Sequence, residues 1–114
     1  MPFNLDVSDG EVELQYSTTN DGSTCVFTLM EKLEFSDNSA VREIFEEFKS
    51  SGCAKCSIDL SKLEFIDSAG LGLLVLIHEA VENDDKSVEF ASPTGQVKKM
   101  LEITNFANVI KIVP

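Results

Sequence analysis

The chain has 114 residues, of which 43% are hydrophobic and 25% charged, and its formal net charge is -11. This length and composition are typical of one soluble globular domain and exclude a disordered or fibrous protein. The 20 acidic residues outnumber the 9 basic ones. We therefore expect no binding to nucleic acid or to anionic membranes, because both bind proteins through Lys and Arg. The acidity either keeps the chain soluble or complements a basic protein partner, and charge alone does not decide between these.

The N-terminus and the cysteines bear on where the protein works. The N-terminus carries acids and no basic segment of the kind that begins an export signal. The longest purely apolar run, residues 73–77, is too short to cross a bilayer. Three cysteines are an odd number and do not imply a complete disulfide framework. We expect a cytoplasmic protein with reduced thiols.

The first half of the chain predicts a hairpin followed by a helix. Residues 11–17 alternate apolar and polar side chains, as a half-buried strand does. The Asp-Gly pair at 21–22 is a turn signal, and a more buried strand follows at 25–30. Residues 36–50 place their apolar side chains on one face of a helix, and a glycine that can end the helix comes soon after.

The second half alternates strands and helices. The pattern predicts a strand at 55–60, a helix at about 68–83, a strand at 87–91, a helix at about 94–104 and a short strand at 109–113. Strands separated by helices need crossover connections, so most of the sheet should be parallel, with an antiparallel edge from the hairpin. We predict a single α/β domain over residues 1–114 with a mixed, mostly parallel sheet of about five strands.

The stretch IDLSKLEFIDSAGLGLLVLIHEAV, residues 58–81, holds the candidate site. It begins with a strand, turns at Asp67 and Ser68, and enters a helix at the carboxyl edge of the sheet, where open α/β folds usually form binding sites. Ser68 then lies beside unpaired helix N–H groups and the positive end of the helix dipole. Small residues after it leave the first turn nearly bare, so a partner could approach Ser68 closely.

The helix at 68–83 is apolar almost all round, whereas a helix packed on a sheet needs only one apolar stripe. One side carries Leu71, Leu74, Val75 and Val81, and the other carries Leu73, Leu76, Ile77 and Ala80. Either neighbouring helices cover the second side, or part of it binds a partner.

Two less specific roles remain open for the residues of the turn. Ser68 could simply cap its helix, and Asp67 could be the cap or a turn residue. A catalytic Ser68 would need a base within hydrogen-bond reach, but the single histidine, His78, lies ten residues further along the same helix, roughly 15 Å away. We therefore expect no enzymatic activity from this chain.

The Cys-x-x-Cys motif formed by Cys53 and Cys56 predicts neither a metal nor a redox site. Zinc would need two further ligands, and only Cys25 and His78 remain. A redox motif of this kind follows a strand and opens a helix, whereas this one ends a helix and enters a strand. We expect no metal and no cofactor.

Residues 58–72, with the pattern DLS…DSAGLG, resemble the signature of the STAS domain family, in particular the bacterial anti-sigma factor antagonists. The resemblance extends over the order of elements from about residue 11 to the C-terminus and includes SPTGQVKKMLEITNF. It implies that the serine of the D-S-x-G-L motif is phosphorylated by a partner kinase that is also the anti-sigma factor. A phosphatase restores the serine, and the unphosphorylated form sequesters the kinase and frees a sigma factor.

Carried onto this chain, the resemblance makes Ser68 the phosphoacceptor and Asp67 the acid before it. Family members often carry an acid in the loop after the second strand, and the common G-x-L-D pattern reads EKLEFSD here, so Glu34 or Asp37 would fill that place. The implied partner-binding residues are Glu34, Asp37, Lys62, Glu64, Asp67, Ser68, Ala69, Gly70 and Leu71.

The expected partners are an anti-sigma factor/serine-protein kinase and a phosphatase. We expect the free protein to be a monomer, because its net charge opposes self-association. The alternative function is a STAS scaffold subunit of a lipid-transport or transporter assembly that is not phosphorylated.

Overall fold

The computed structural model describes residues 14–114 and contains one five-stranded sheet. Its strands are β1 (Gln15–Asn20), β2 (Thr24–Leu33), β3 (Lys55–Ile66), β4 (Ser87–Ala91) and β5 (Ile112–Val113). The strands lie side by side in chain order, with β1 antiparallel to β2 and every other pair parallel. The predicted α/β class and the antiparallel edge hairpin are confirmed. Residues 1–13, which include the start of the first predicted strand, lie outside the described residues.

Three α-helices join the parallel strands: α1 (Asn38–Ser51), α2 (Ser68–Asn83) and α3 (Gly95–Ile103). α1 begins later than predicted because Phe35–Asp37 forms a 3-10 turn first. Gly52 ends α1 in the left-handed conformation, with φ of 77°, as expected for a glycine stop. The last strand is shorter than the predicted 109–113, because a second 3-10 turn, Phe106–Asn108, and its C-cap Val109 precede it.

Strands β2 and β3 extend beyond their predicted ends, to Leu33 and Ile66. Two register shifts in their pairing add an extra residue to β3 each time. These bulges give β3 buried residues at a spacing of three, namely Leu60, Leu63 and Ile66. The segment between residue 60, the predicted end of the third strand, and the start of α2 is therefore mostly strand.

Side chains along the strands point alternately to a buried, apolar face of the sheet and to a half-buried, more polar face. The buried residues of the strands β2 to β4 include Cys25, Phe27, Leu29, Cys56, Ile58, Leu60, Val88 and Phe90. The other face carries cross-strand polar pairs, such as the ion pair of Lys55 Nζ with Glu89 Oε1 at 3.1 Å. This pattern explains why the sheet needs a helical cover on its apolar side.

Helix α2 packs beside α1 and against β3 and β4, and these neighbours cover most of its circumference. Leu73 and Ile77, on its second apolar side, are buried, whereas Leu76 is 51% exposed. Cover by neighbouring elements thus holds for most of that side. Within residues 14–114, no helix has both the length and the apolar character needed to span a membrane.

Candidate functional site at the start of helix α2

Ser68 is the first residue of α2, and Asp67 is the residue that caps the helix. One carboxylate oxygen of Asp67, Oδ1, accepts a hydrogen bond from the N–H of Gly70 at 2.7 Å. The capping role considered for Ser68 is therefore wrong, because Asp67 performs it. Ser68 is exposed, and its hydroxyl forms no hydrogen bond with another residue of the described range 14–114.

The electrostatic setting of Ser68 is that of a helix N-terminus. The backbone carbonyl of Asp67 accepts from the N–H of Leu71 at 3.0 Å, which begins the helical hydrogen-bond series. The N–H of Gly70 donates to Asp67, whereas the N–H groups of Ser68 and Ala69 have no partner within the helix and lie at the positive end of its dipole. An anion attached to Ser68 would meet these groups.

Gly70 brings the ends of two strands against this turn. A Cβ atom at this position would clash with the backbone oxygen of Leu33 and would lie 2.7 Å from Cγ1 of Ile66. Real Cβ atoms do not approach backbone oxygens so closely, so the position requires glycine. The glycine therefore lets β2, β3 and the first turn of α2 meet at one point.

The two candidate acids of the loop after β2 occupy different environments. Asp37 is only 3% exposed, and its Oδ2 accepts from the N–H of Glu34 at 2.7 Å. Its Oδ1 is buried without a partner among the described residues. Glu34 is half-buried and directly follows Leu33, whose carbonyl touches Gly70. Asp37 thus shapes the loop from inside, and Glu34 is the more accessible acid near the start of α2.

The other sequence-predicted site residues divide into exposed and buried ones. Lys62 and Glu64 are exposed on the carboxyl half of β3, and Ala69 is half-buried on the first turn of α2. Gly70 and Leu71 are buried, and the contact with a partner predicted for them stays a prediction.

Sequence reasoning missed Phe65, whose side chain is 41% exposed beside Glu64. It lies between the buried residues Leu63 and Ile66, because the bulge in β3 turns it outward. The available signal is the spacing of three between the buried apolar residues of this segment, which leaves Phe65 out of step. This exposed aromatic ring stands two residues before Asp67, the cap of α2.

Asp59 is hydrogen-bonded, as expected of a partly buried acid inside a strand. Its Oδ2 accepts from the Thr28 hydroxyl at 3.1 Å, and its Oδ1 accepts from the N–H of Ser61 at 2.9 Å. Burial alone would raise the pKa of Asp59, but these hydrogen bonds and the charge of Lys62 together lower it. Asp59 therefore stays ionised and fixes the strand just before its first bulge.

The three thiols lie at the opposite end of the sheet. The Sγ atoms of Cys25 and Cys53 are 3.3 Å apart. Cys56 on β3 lies directly opposite Cys25 on β2 in the register of the two strands, and all three cysteines are free thiols. Burial, and then the two neighbouring thiols, raises the pKa of Cys56 to about 12. The motif does end a helix and enter a strand, as predicted. Within residues 14–114, no group of His, Cys, Asp and Glu side chains is arranged to hold a metal ion.

His78 lies on α2 with its Nε2 3.6 Å from Oε1 of Glu82, one turn further along. It is ten residues from Ser68 on the same helix. The two side chains therefore do not form a nucleophile and base pair.

Comparison with known proteins identifies similar sequences and folds. A family model described as the STAS domain matches residues 15–114. A protein of Thermotoga neapolitana, named as a candidate anti-sigma factor antagonist, is 36% identical over 69 residues, which cover 60% of this chain and 61% of that protein. The matched stretch thus spans about three fifths of that relative. The crystal structure of a similarly named Thermotoga maritima protein has a TM-score of 0.68 at 28% identity, covering 89% of this chain and 86% of that one.

Two structures of a more distant protein share the fold. The anti-sigma factor antagonist SpoIIAA in its unphosphorylated form has a TM-score of 0.64 at 18% identity, covering 89% of this chain and 86% of that one. The Bacillus SpoIIAA in its phosphorylated form has a TM-score of 0.63 at 16% identity, covering 88% of this chain and 92% of that one.

Proposed function

Because the chain belongs to the STAS domain family, we propose that it is an anti-sigma factor antagonist whose partner binding is switched by phosphorylation of Ser68. The partner is an anti-sigma factor that is also a serine kinase. The unphosphorylated protein binds this partner, and the phosphorylated protein releases it. A phosphatase returns Ser68 to the unmodified state. The chain itself supplies the acceptor hydroxyl and no catalytic group.

The observation that supports this proposal best is that Asp67, and not Ser68, caps helix α2. Asp67 caps α2, so the neighbouring serine is not needed to hold the helix and stands exposed. A kinase needs an accessible hydroxyl on a backbone of fixed geometry, and the first turn of α2 offers both.

The fold should tolerate a phosphate on Ser68. A phosphoryl group adds roughly -1.5 to -2 charge and three acceptor oxygens, and at a helix N-terminus it meets unpaired N–H groups and a favourable dipole. SpoIIAA, a protein with a similar fold, has been solved in both a phosphorylated and an unphosphorylated form. We therefore expect modification to change binding while the domain stays folded.

A partner bound at this surface would respond differently from the fold. It would pack against the small first turn around Ala69, where a phosphate adds bulk, charge and a desolvation cost. Glu34, Glu64 and the exposed ring of Phe65 would form the surroundings of this contact. A loss of about 2.8 kcal/mol weakens binding about a hundredfold, which is enough for release.

The test compares Ser68→Ala and Ser68→Asp with the wild-type chain in a pull-down with the candidate anti-sigma factor/kinase, with and without ATP. Ser68→Ala should bind the partner and take up no phosphate. Ser68→Asp should bind poorly, and both variants should keep the wild-type circular dichroism. Ser39→Ala is the matched control, because Ser39 is an exposed serine in the first turn of α1.

Mass spectrometry of the wild-type chain decides between this proposal and its alternative. Phosphate on a residue other than Ser68 would contradict the proposal. Equal partner binding before and after modification of Ser68 would favour the scaffold function, in which the surface binds constitutively.

The free protein should be a monomer, because its net charge of -11 opposes self-association, and its place of action should be the cytoplasm. Light scattering at moderate salt measures this directly. A stable homodimer would contradict the expectation.

A further inference from the structure

The side chain of Gln96, the second residue of α3, holds the backbone of Ile66 at the end of β3. Its Nε2 donates to the Ile66 carbonyl at 2.9 Å, and its Oε1 accepts from the Ile66 N–H at 3.0 Å. A side-chain amide that bonds both groups of one residue does what a peptide group of a neighbouring strand would do.

The sheet itself leaves this place open. β3 pairs with β4 only from Lys55 to Asp59, because β4 ends at Ala91. Beyond Asp59, β3 continues for seven further residues to Ile66 beside β2 alone. Gln96 therefore satisfies two backbone groups that no strand reaches in the described part of the chain.

Ile66 is the last residue of β3 and directly precedes Asp67 and Ser68. Its side chain is fully buried, and Cγ1 lies against Gly70 in the first turn of α2. The next residue, Asp67, caps α2, and Ser68 follows it. A displacement of the Ile66 backbone would therefore displace the cap and the serine hydroxyl with it.

We propose that Gln96 is a positioning residue for the phosphorylation of Ser68, an inference that rests on the proposed function. Phosphoryl transfer requires the acceptor oxygen to lie in line with the transferred group, and misplacement by about 1 Å can cost about a hundredfold in rate. Partner binding is spread over a wider surface and tolerates such a shift better. Loss of the Gln96 contacts should therefore lower kcat more than it raises KM.

The experiment uses the full chain and the anti-sigma factor/kinase that phosphorylates its wild-type form. Gln96→Leu removes both hydrogen bonds at similar side-chain size. Gln96→Glu keeps the acceptor for the Ile66 N–H but loses the donor, and it provides a second variant if Gln96→Leu fails to fold. Lys99→Leu is the control, because it adds the same side chain to an exposed position of α3.

Two quantities are measured for each variant: the kcat and KM of Ser68 phosphorylation, and the hydrogen-exchange rate of the Ile66 amide by NMR. We expect Gln96→Leu to lower kcat about tenfold with KM within about twofold, and to speed Ile66 exchange about tenfold. Gln96→Glu should fall between Gln96→Leu and wild type, and Lys99→Leu should match wild type.

The outcomes separate this inference from the proposed function. If Gln96→Leu is phosphorylated as fast as Lys99→Leu, Gln96 does not position Ser68, although the proposed function stands. An unchanged Ile66 exchange rate in Gln96→Leu would show that the two hydrogen bonds do not restrain β3, which also overturns the inference. Absence of phosphate on wild-type Ser68 would overturn the proposed function and the role of Gln96 in it together.

Discussion

The two ends of the central strands carry opposite kinds of nucleophilic side chain. At the carboxyl end, which we call the serine end (Leu33, Ile66, Ser68 and Gly70), an exposed hydroxyl stands at a helix N-terminus. At the amino end, which we call the thiol end (Cys25, Cys53 and Cys56), three sulfur atoms are buried in the core. The two ends therefore differ in exposure: solvent reaches the serine, and the three thiols are enclosed.

The backbone pairing also differs between the two ends: it is regular at the buried thiol end and irregular at the exposed serine end. At the thiol end β2, β3 and β4 pair in regular register, so successive side chains alternate between the two faces of the sheet. At the serine end β3 contains two bulges, β4 is absent, and single contacts from Asp67, Gly70 and Gln96 hold the chain. A regular sheet end thus buries its nucleophiles, whereas an irregular one exposes a residue and needs specific contacts to fix it.

The largest expected effect is that of Gly70→Ala at the serine end. The new Cβ would meet the Leu33 carbonyl and the Ile66 side chain, both held in the sheet, so the domain should lose about 3 kcal/mol in unfolding free energy. Gly72→Ala, two residues further along α2, would place its Cβ in open space and should instead gain about 0.5–1 kcal/mol. Urea denaturation of both variants measures this. Equal changes in unfolding free energy for the two variants would show that β2 and β3 leave room for a side chain at Gly70.

The second prediction concerns the thiol end at alkaline pH. Burial raises the pKa of Cys56 from its ordinary value of 9.0 to about 12, so the folded state holds its proton where the unfolded state loses it. This stabilisation is complete below about pH 9 and is lost as the pH rises toward 12. Between about pH 9 and about pH 11 the wild-type chain should lose about 2 kcal/mol, measured by urea denaturation at each pH.

Cys56→Ala is the control for that pH dependence. The variant has no thiol at this position and should lose clearly less stability over the same range, whatever its stability at neutral pH. A parallel decline of the two proteins would mean that Cys56 does not titrate as a buried thiol.

The third prediction separates neighbouring residues at the serine end. Asp67→Ala removes the helix cap and should cost about 1 kcal/mol in unfolding free energy. Ser68→Ala should stay within about 0.5 kcal/mol of wild type, because Ser68 is exposed and its hydroxyl forms no hydrogen bond within the described residues. Thermal and urea denaturation compare the two. A larger loss for Ser68→Ala than for Asp67→Ala would assign the cap to the serine.

The smallest expected effect sharpens the alkaline experiment. Tyr16 on β1 is the single tyrosine of the chain, and its hydroxyl lies 3.3 Å from Oε1 of Glu47 and 3.4 Å from Oε1 of Glu43. Burial, followed by these carboxylates, raises its pKa from 10.0 to about 12. Its share of stability is therefore lost only above about pH 10.

Tyr16→Phe should cost about 0.5 kcal/mol at neutral pH. An ultraviolet titration of tyrosinate in the wild-type chain should show a midpoint near 12. A midpoint near 10 would show that Tyr16 does not contribute to the loss of stability at alkaline pH, and more of that loss would then be due to Cys56.

Much of the fold follows from local pattern, and the serine end shows where local pattern fails. Helix α2 has the predicted bounds because its apolar residues and the small residues after Asp67 are local signals. The end of β3 was missed because bulges replace the alternation of two with a spacing of three, as Leu60 and Leu63 show. A bulge depends on the partner strand, so its position is not a local property.

For the candidate site, too, the sequence predicts the local motif but not the tertiary contacts around it. The motif identifies Ser68, but sequence alone does not show that Asp67 takes the cap or that Asp37 is buried. The contact of Gln96 with Ile66 joins residues 30 positions apart through a side chain and a backbone, so no periodicity signals it. These are tertiary contacts, and they decide which predicted residues face outward.

The order of the strands has a consequence for how the domain forms. Each strand pairs only with the strand before or after it in the chain, so no strand must insert between two that are already joined. Every pairing closes a loop no longer than one helix and its turns, which keeps the entropy cost of each step low. A chain leaving the ribosome can therefore build the sheet from the β1–β2 hairpin outward, adding one strand and one helix at a time.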